Sequence, residues 1–121
     1  MISIIILNYN AGQLLIDCVQ SIMNSNLEDF EIILVDNLSI DGSHLRCKEK
    51  FENVILIENK ENLGYCEGNN VGLRSAQGEF IIILNPDTTV TSNWITELKN
   101  AHDEFGEGLY QPKILSMSNP K

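Results

Sequence analysis

The stretch E-I-I-L-V-D-N at residues 31–37 decides the fold, because four consecutive apolar residues are followed directly by two polar ones. Two similar runs, both I-I-I-L, occur at residues 4–7 and 81–84. Runs that are apolar at every position suit strands covered on both faces, as in a parallel sheet between helices. The predicted strands are Ile2–Leu7, Phe30–Val35, Val54–Glu58 and Glu79–Leu84. Since amphipathic segments alternate with these strands, we expect an α/β fold with a mostly parallel sheet.

The clearest amphipathic segment runs from about Gly12 to Asn24, where apolar residues recur at helical spacing. Further elements are predicted as a short helix after Asp41-Gly42-Ser43, helices over Asn69–Ala76 and Ser92–Asp103, and a fifth strand over Leu109–Leu115. Gly72 is expected to let its helix pack closely on the sheet, and Gly78 to end that helix. One folded unit is expected over residues 1–115, with a frayed tail over residues 116–121.

Composition limits the function classes. The chain has 121 residues and a net charge of -9, from 17 acidic and 8 basic residues, which disfavours nucleic acid as a partner. Cys18, Cys47 and Cys66 are an odd number without a C-x-x-C pair, so neither a disulfide framework nor a zinc site is indicated. No apolar run approaches the roughly 18 to 20 residues that cross a bilayer. We expect a cytoplasmic protein that reaches the inner face of a membrane only through segments outside this chain.

Each predicted strand is followed by a polar cluster. The clusters are Asn8-Tyr9-Asn10, Asp36-Asn37, Asn59–Gly64 and Asn85-Pro86-Asp87. Open parallel sheets bind ligands outside the carboxyl ends of their strands, so all four clusters are expected at one rim. Any one cluster is equally explained by turn and cap chemistry, whereas four together favour a ligand site.

Single residues at this rim have two interpretations each. Asp36 either accepts hydrogen bonds from a ligand base or ribose, or forms an Asx turn. Asp87 either holds a hard divalent cation with its phosphates, or serves as a turn residue. Asp41 is expected in a turn or cap, while His44 and His102 are expected at the surface or in caps, with no assigned role.

Taken in order, these motifs resemble the GT-A glycosyltransferases of family 2 over nearly the whole chain. The matching segments are residues 2–10, the block from Glu31 to Ser43, the N-x-x-N-x-G and G-N-N-x-G motifs within residues 59–72, and residues 78–87. The resemblance implies the N-terminal, nucleotide-sugar-binding half of a GT-A fold. The N-P-D motif at residues 85–87 resembles that of rhamnosyltransferase-like members, in which Asn replaces the first acid of D-x-D.

The resemblance also implies roles. The nucleotide-binding residues it implies are Asn8, Tyr9, Asn10, Asp36, Asn62, Gly64 and Asn85. Asp87 would bind Mg2+ or Mn2+ between the two phosphates. The implied reaction is an inverting transfer of a sugar from a UDP- or dTDP-linked donor to a carbohydrate or lipid-linked acceptor in glycan or polysaccharide synthesis. No catalytic base is matched within this chain, so we expect donor binding without turnover, and a homodimer through exposed apolar surface.

Other classes of protein compete with this interpretation. A dinucleotide-dependent oxidoreductase is disfavoured because residues 8–12 contain one glycine where G-x-G-x-x-G needs three. No G-K-[ST] follows a strand, which disfavours a P-loop enzyme. A catalytically inactive binding or scaffolding member of the family, and a flavodoxin-like metal-binding signalling module, both stay open.

Overall fold

A computed structural model describes residues 1–94, 96, 100 and 115–116. The strands are β1 (Ile2–Asn8), β2 (Phe30–Asp36), β3 (Ile55–Glu58), β4 (Phe80–Leu84), β5 (Thr88–Thr89) and β6 (Leu115–Ser116). Three helices lie fully within the described residues, namely α1 (Gln13–Met23), α2 (Ser43–Lys50) and α3 (Gly64–Ser75). None of the helices in these residues is long and apolar enough to span a membrane.

The first four strands form a parallel sheet in the order β3-β2-β1-β4. Ile5 lies opposite Ile33 of β2 on one side and Ile83 of β4 on the other. The predicted α/β fold with a parallel sheet is therefore confirmed. β5 and β6 form a separate antiparallel pair.

The apolar runs of β1 and β2 are buried on both faces of the sheet, as their composition predicts, whereas in β4 Ile81 is 37% exposed and the prediction was wrong there. Ile4 and Ile6 lie in a core with α1, whereas Ile5 points to the opposite face, where α3 packs, and all three are 0% exposed. At Gly72 an added Cβ would lie 2.6 Å from Cγ2 of Ile5, so the expectation of close packing there is confirmed.

Helix α3 differs from its prediction, because it begins at Gly64 and not at Asn69. The N–H of Gly64 is bound by the side chain of Asn62 at 2.9 Å, and Gly64 itself has a φ of +80°. This glycine-rich first turn has low intrinsic helix propensity, so its helical state depends on tertiary contacts. The helix ends at Ser75, one residue before the predicted Ala76, and the role predicted for Gly78 was wrong, since Ala76 is the C-cap.

Gly78 instead contacts the first strand. Its N–H donates to Oγ of Ser3 at 2.8 Å, and an added Cβ would lie 2.7 Å from the backbone oxygen of Met1. A side chain larger than hydrogen does not fit between these two segments. The absence of a side chain at Gly78 therefore lets the start of β4 lie close to β1.

Two predictions fall largely on residues outside the described ones. Of the helix predicted over Ser92–Asp103, Trp94, Thr96 and Asn100 are helical, and Trp94 is buried. Of the strand predicted over residues 109–115, Leu115 is described and pairs with Thr89. Ser116, which was predicted to belong to the frayed tail, pairs with Thr88 in the same two-stranded sheet.

Candidate functional site

The strand order places a topological switch point beside β1. β2 and β3 follow on one side of β1, whereas β4 joins on the other side. In open parallel sheets, ligands bind at the carboxyl ends of the strands at such a point. The loop after β1 and the turn after β4 flank it, so two of the four polar clusters lie at the position where a ligand is expected.

Asn8 ends β1 and is 0% exposed. Its Nδ2 donates at 2.9 Å to Oδ1 of Asp36 and at 2.9 Å to Oγ of Ser43, with Oγ of Ser39 at 3.3 Å. Its Oδ1 accepts from the N–H of Ala11 at 3.3 Å. The Asn8 side chain thus connects the loop after β1 with the loop after β2.

Asp36 lies directly beside Asn8 in the strand register and is 2% exposed. Its Oδ1 also accepts from the Ser39 hydroxyl at 2.7 Å, and its Oδ2 accepts from the Ser39 N–H at 2.8 Å. The turn interpretation of Asp36 is therefore the one visible in the structure. A bond from this carboxylate to a ligand base would have to use the remaining lone pairs.

Tyr9 and Asn10 follow on the solvent side of this network. Asn10, at a φ of +52°, donates its N–H to Oγ of Ser39 at 2.9 Å and accepts from the N–H of Ile40 at 2.8 Å. The ring of Tyr9 is 56% exposed. Asn10 thus holds the two loops together, while Tyr9 offers an open aromatic surface beside them.

Asp41 lies in the same pair of loops, and its predicted turn role is confirmed. Its Oδ1 accepts from the N–H and the hydroxyl of Ser43 at 3.0 and 2.6 Å, and its Oδ2 accepts from the N–H of Gly12 at 3.0 Å. The bond from the Ser43 hydroxyl holds the pKa of the Asp41 carboxyl below its usual value. The charged form of Asp41 therefore fixes the start of α2 to the start of α1.

Asn37 joins the third cluster to the first two, a role that the sequence did not reveal. It is 3% exposed and donates from Nδ2 to the carbonyl of Gly64 at 3.1 Å. Its Oδ1 accepts from Nδ2 of Asn59 at 2.8 Å and from the N–H of Leu63 at 3.3 Å. The N-terminus of α3, with Gly64 and the exposed Asn62, is therefore fixed to the end of β2.

The fourth cluster forms a turn at the end of β4. The N–H of Thr88 donates to the carbonyl of Asn85 at 3.1 Å, and both Asn85 and Asp87 are exposed. Cys18 of α1 contacts the same carbonyl at 3.8 Å, and burial, with smaller effects of Cys47 and Asp87, raises the pKa of Cys18 to about 12. No hydrogen bond within the described part of the chain joins this turn to Asn8 or Asp36.

The turn at residues 85–87 presents oxygen atoms that could bind a metal ion. Across the described ranges, no three His, Cys, Asp or Glu side chains form a cluster that would hold a metal by themselves. Asp87 offers one exposed carboxylate, with the amide oxygen of Asn85 two residues away. Mg2+ is commonly bound through one or two carboxylates and the phosphates of a ligand, and this turn fits such a shared site.

The expectation for His44 was wrong, because its side chain is buried and not at the surface. Its Nε2 lies 3.2 Å from Oε1 of Glu58, and its Nδ1 lies 3.6 Å from Oδ1 of Asp36. Cys47, one helical turn later, is buried on the same helix. That i, i+3 spacing is the sequence signal that could have placed His44 on the inner face.

The sequence of the chain is similar to those of known proteins. Residues 3–118 match the sequence model of Glycosyl transferase family 2. Glycosyltransferase GlyG of Streptococcus pneumoniae is 35% identical over 81% of this chain, and the chain spans 34% of that relative's length.

Two solved structures share the fold. The S. aureus TarS structure in complex with UDP-GlcNAc superimposes with a TM-score of 0.77 at 23% identity, over 91% of this chain and 37% of that one. The mannosyltransferase PcManGT from Pyrobaculum calidifontis, in complex with GDP-Man and Mn2+, gives 0.70 at 24% identity, over 78% and 30%. Together with the family match, these similarities establish the GT-A fold, and the chain belongs to glycosyl transferase family 2.

Proposed function

We propose that this chain forms the donor-binding part of an inverting glycosyltransferase, which transfers a sugar from a UDP- or dTDP-linked donor to an acceptor hydroxyl. The observation that carries the proposal is the switch point beside β1, where the loop after β1 and the turn after β4 meet the ends of the strands. Because the chain spans about a third of the length of its relative, the activity of the whole protein is part of the proposal.

The ligands of the structural neighbours support a nucleotide-sugar donor. TarS was solved with UDP-GlcNAc and PcManGT with GDP-Man and Mn2+. We propose a UDP- or dTDP-linked donor for this chain: the uridine nucleotide of TarS supports the first, and the N-P-D motif, which resembles that of rhamnosyltransferase-like members, favours the second. The acceptor is proposed to be a carbohydrate or a lipid-linked glycan.

Each rim element has a distinct task in this proposal. The exposed ring of Tyr9 packs against the nucleoside, with Asn10 at its edge. Asp36 hydrogen-bonds the base through the lone pairs that Asn8 and Ser39 leave free. Asn62 and Gly64 border the nucleotide on the side of α3. Asn85 borders it on the side of β4, in the turn that also contains Asp87.

Charge at the diphosphate is balanced by two features of the chain. The first amides of a helix have no intrahelical partner and stabilise phosphates; at the start of α3 the N–H of Gly64 is bound by Asn62, so the amides of Tyr65 and Cys66 are proposed for this role. Asp87 would hold a divalent cation, which supplies neutralising charge for the departing diphosphate when bound. The base that deprotonates the acceptor is proposed to lie outside this chain, so we expect binding without turnover.

The test is a titration of the chain with UDP and dTDP in the presence of Mg2+, followed through backbone amide shifts. We expect shifts at Tyr9, Asp36, Gly64 and Asp87, and a chelator should weaken them. Asp87→Ala should lower the affinity with Mg2+ about tenfold, as expected when one metal contact is lost. Glu52→Ala removes an equally exposed acid distant from the rim and serves as the control.

The outcomes separate the competing functions. Affinity for both diphosphates that depends on Mg2+ and Asp87 supports the donor site. Binding of Mg2+ alone, with no added affinity for either nucleotide, would favour the flavodoxin-like signalling module. Transfer of sugar by this chain alone would contradict the proposed absence of a catalytic base.

Location and assembly complete the proposal. Cys18, Cys47 and Cys66 are free thiols, which fits the reducing environment of the cytoplasm. A homodimer is proposed on the exposed apolar surface, and sedimentation as a monomer across a wide concentration range would contradict it.

A further inference from the structure

A buried imidazole lies against the carboxylates of two neighbouring strands. Asp36 at the end of β2 and Glu58 at the end of β3 are register partners in the sheet. His44, near the start of α2, has Nε2 at 3.2 Å from Glu58 and Nδ1 at 3.6 Å from Asp36. Its side chain is 8% exposed, and the side chain of Asp36 is 2% exposed.

Neither contact is explained by the formation of α2. The helix begins after Gly42, and Asp41 and Ser43 already bind each other at its start. A buried residue at position 44 could therefore be apolar, as the neighbouring core residues are. Of its two nitrogens, Nε2 contacts Glu58, whereas Nδ1 has no hydrogen-bond partner among the described residues, since Oδ1 of Asp36 at 3.6 Å lies beyond hydrogen-bond distance. A buried polar ring with an unpartnered nitrogen is costly, so its place beside Asp36 indicates a role that an apolar residue would not fill.

The acid contacted by Nδ1 of His44 is the hub of the loops. Oδ1 of Asp36 accepts from Asn8 and Ser39, and Ser39 in turn accepts from the N–H of Asn10. The imidazole approaches this same oxygen from the α2 side. This contact is made without a hydrogen bond, and the ring occupies space into which the carboxylate could otherwise move.

We propose that His44 is a positioning residue of the donor site, which holds the Asp36 carboxylate in place and so fixes the loops after β1 and β2. This inference rests on the proposed function for its link to nucleotide binding, while its effect on the loops can be measured without any ligand. His44 itself contacts no ligand in this proposal.

The first measurement is amide hydrogen exchange in the nucleotide-free chain. His44→Leu keeps the side-chain bulk and removes both nitrogens, whereas His44→Gln keeps a donor. We expect exchange at the Ser39 and Asn10 amides to accelerate about tenfold in His44→Leu and to return toward the parent rate in His44→Gln. Leu45→Gln, at an exposed neighbouring position of α2, should leave both rates unchanged.

The second measurement is the Kd of UDP in a double-mutant cycle. His44→Leu should weaken binding about fivefold to tenfold, and in an Asp36→Asn background its effect should fall below about twofold, since coupled residues are non-additive. Equal effects in both backgrounds, or unchanged exchange at Ser39 and Asn10, would overturn the role of His44. Absence of UDP binding by the folded parent would overturn the proposed function, and the exchange measurement would still decide the role of His44.

Discussion

Replacing Asn8 with alanine removes the only described side chain that bonds directly to both Asp36 and Ser43. The bond to the carboxylate is of the charge-assisted kind, worth about 1.5–3 kcal/mol, and the bond to the hydroxyl adds about 1 kcal/mol. Because these bonds share one amide group and are not additive, we expect a loss of about 3 kcal/mol in the free energy of unfolding. That is a large share of the roughly 5–15 kcal/mol that stabilises a domain.

Urea unfolding provides the assay, because Trp94 is the only tryptophan and is 4% exposed. Its fluorescence should report the loss of the core. If the unfolding free energy falls with urea concentration at the same slope in the variant and the parent, the shift in the midpoint measures the change in stability. Asn10→Ala is the matched control, since Asn10 is exposed and its side chain accepts from the N–H groups of Ile40 and Asp41. We expect that control to lose less, about 2 kcal/mol, because exposed hydrogen bonds are lost and alanine tolerates a φ of +52° less well than asparagine.

The difference between the stability losses of Asn8→Ala and Asn10→Ala tests the role of the buried Asn8 amide. If Asn8→Ala and Asn10→Ala lose stability to within about 0.5 kcal/mol of each other, the buried amide is not the link that its distances indicate. A changed dependence on urea would mean that the variant alters the unfolded or native ensemble, and the midpoint would then not measure this bond.

Two further outcomes follow from shifted pKa values. The Ser43 hydroxyl lowers the pKa of Asp41, so its stabilising charge is present above the usual Asp value of about 3.9 and is lost as the pH falls through the lowered folded value. Asp41→Asn should therefore be less stable than the parent at neutral pH, and the gap should narrow as the pH falls through the lowered folded value; an equal gap at neutral and at strongly acidic pH would contradict this. Burial raises the pKa of Cys18 to about 12 and of Cys47 to about 11, whereas Cys66 is exposed. A thiol reagent at pH 8 should label Cys66 alone until urea unfolds the chain, as counted by intact mass, and rapid labelling of all three thiols would refute the burial argument.

The sheet and its rim could be predicted because their signals are local. An uninterrupted apolar run such as residues 32–35 has few alternatives to a buried strand, and the polar residues that end each run must then lie at one edge. The close packing of α3 on the sheet at Gly72 could be predicted for the same reason, since a glycine within a helical pattern often marks a close contact.

The bonds within the rim could not be predicted, because they depend on strand register. Asn8, Asp36 and Glu58 lie side by side only because the three strands pair with this alignment, and a shift of one residue would separate them. His44 was misjudged since its acidic neighbours are distant in sequence and reach it through that alignment. The early start of α3 was missed because Gly64 depends on bonds from Asn37 and Asn62 and not on helix propensity.

The position of β4 beside β1 has a consequence for how the chain folds. β1 can pair with β2 as soon as the first helical connection is complete, whereas its other edge waits for residues 80–84. Contacts between distant segments form slowly, because a long loop must close before they are gained. During synthesis the first three strands can therefore assemble early, with one edge of β1 unpaired until β4 has left the ribosome. Docking of β4 adds the fourth strand of the described sheet and brings the turn at residues 85–87 to its rim, so the proposed ligand site forms only after these distant segments have met.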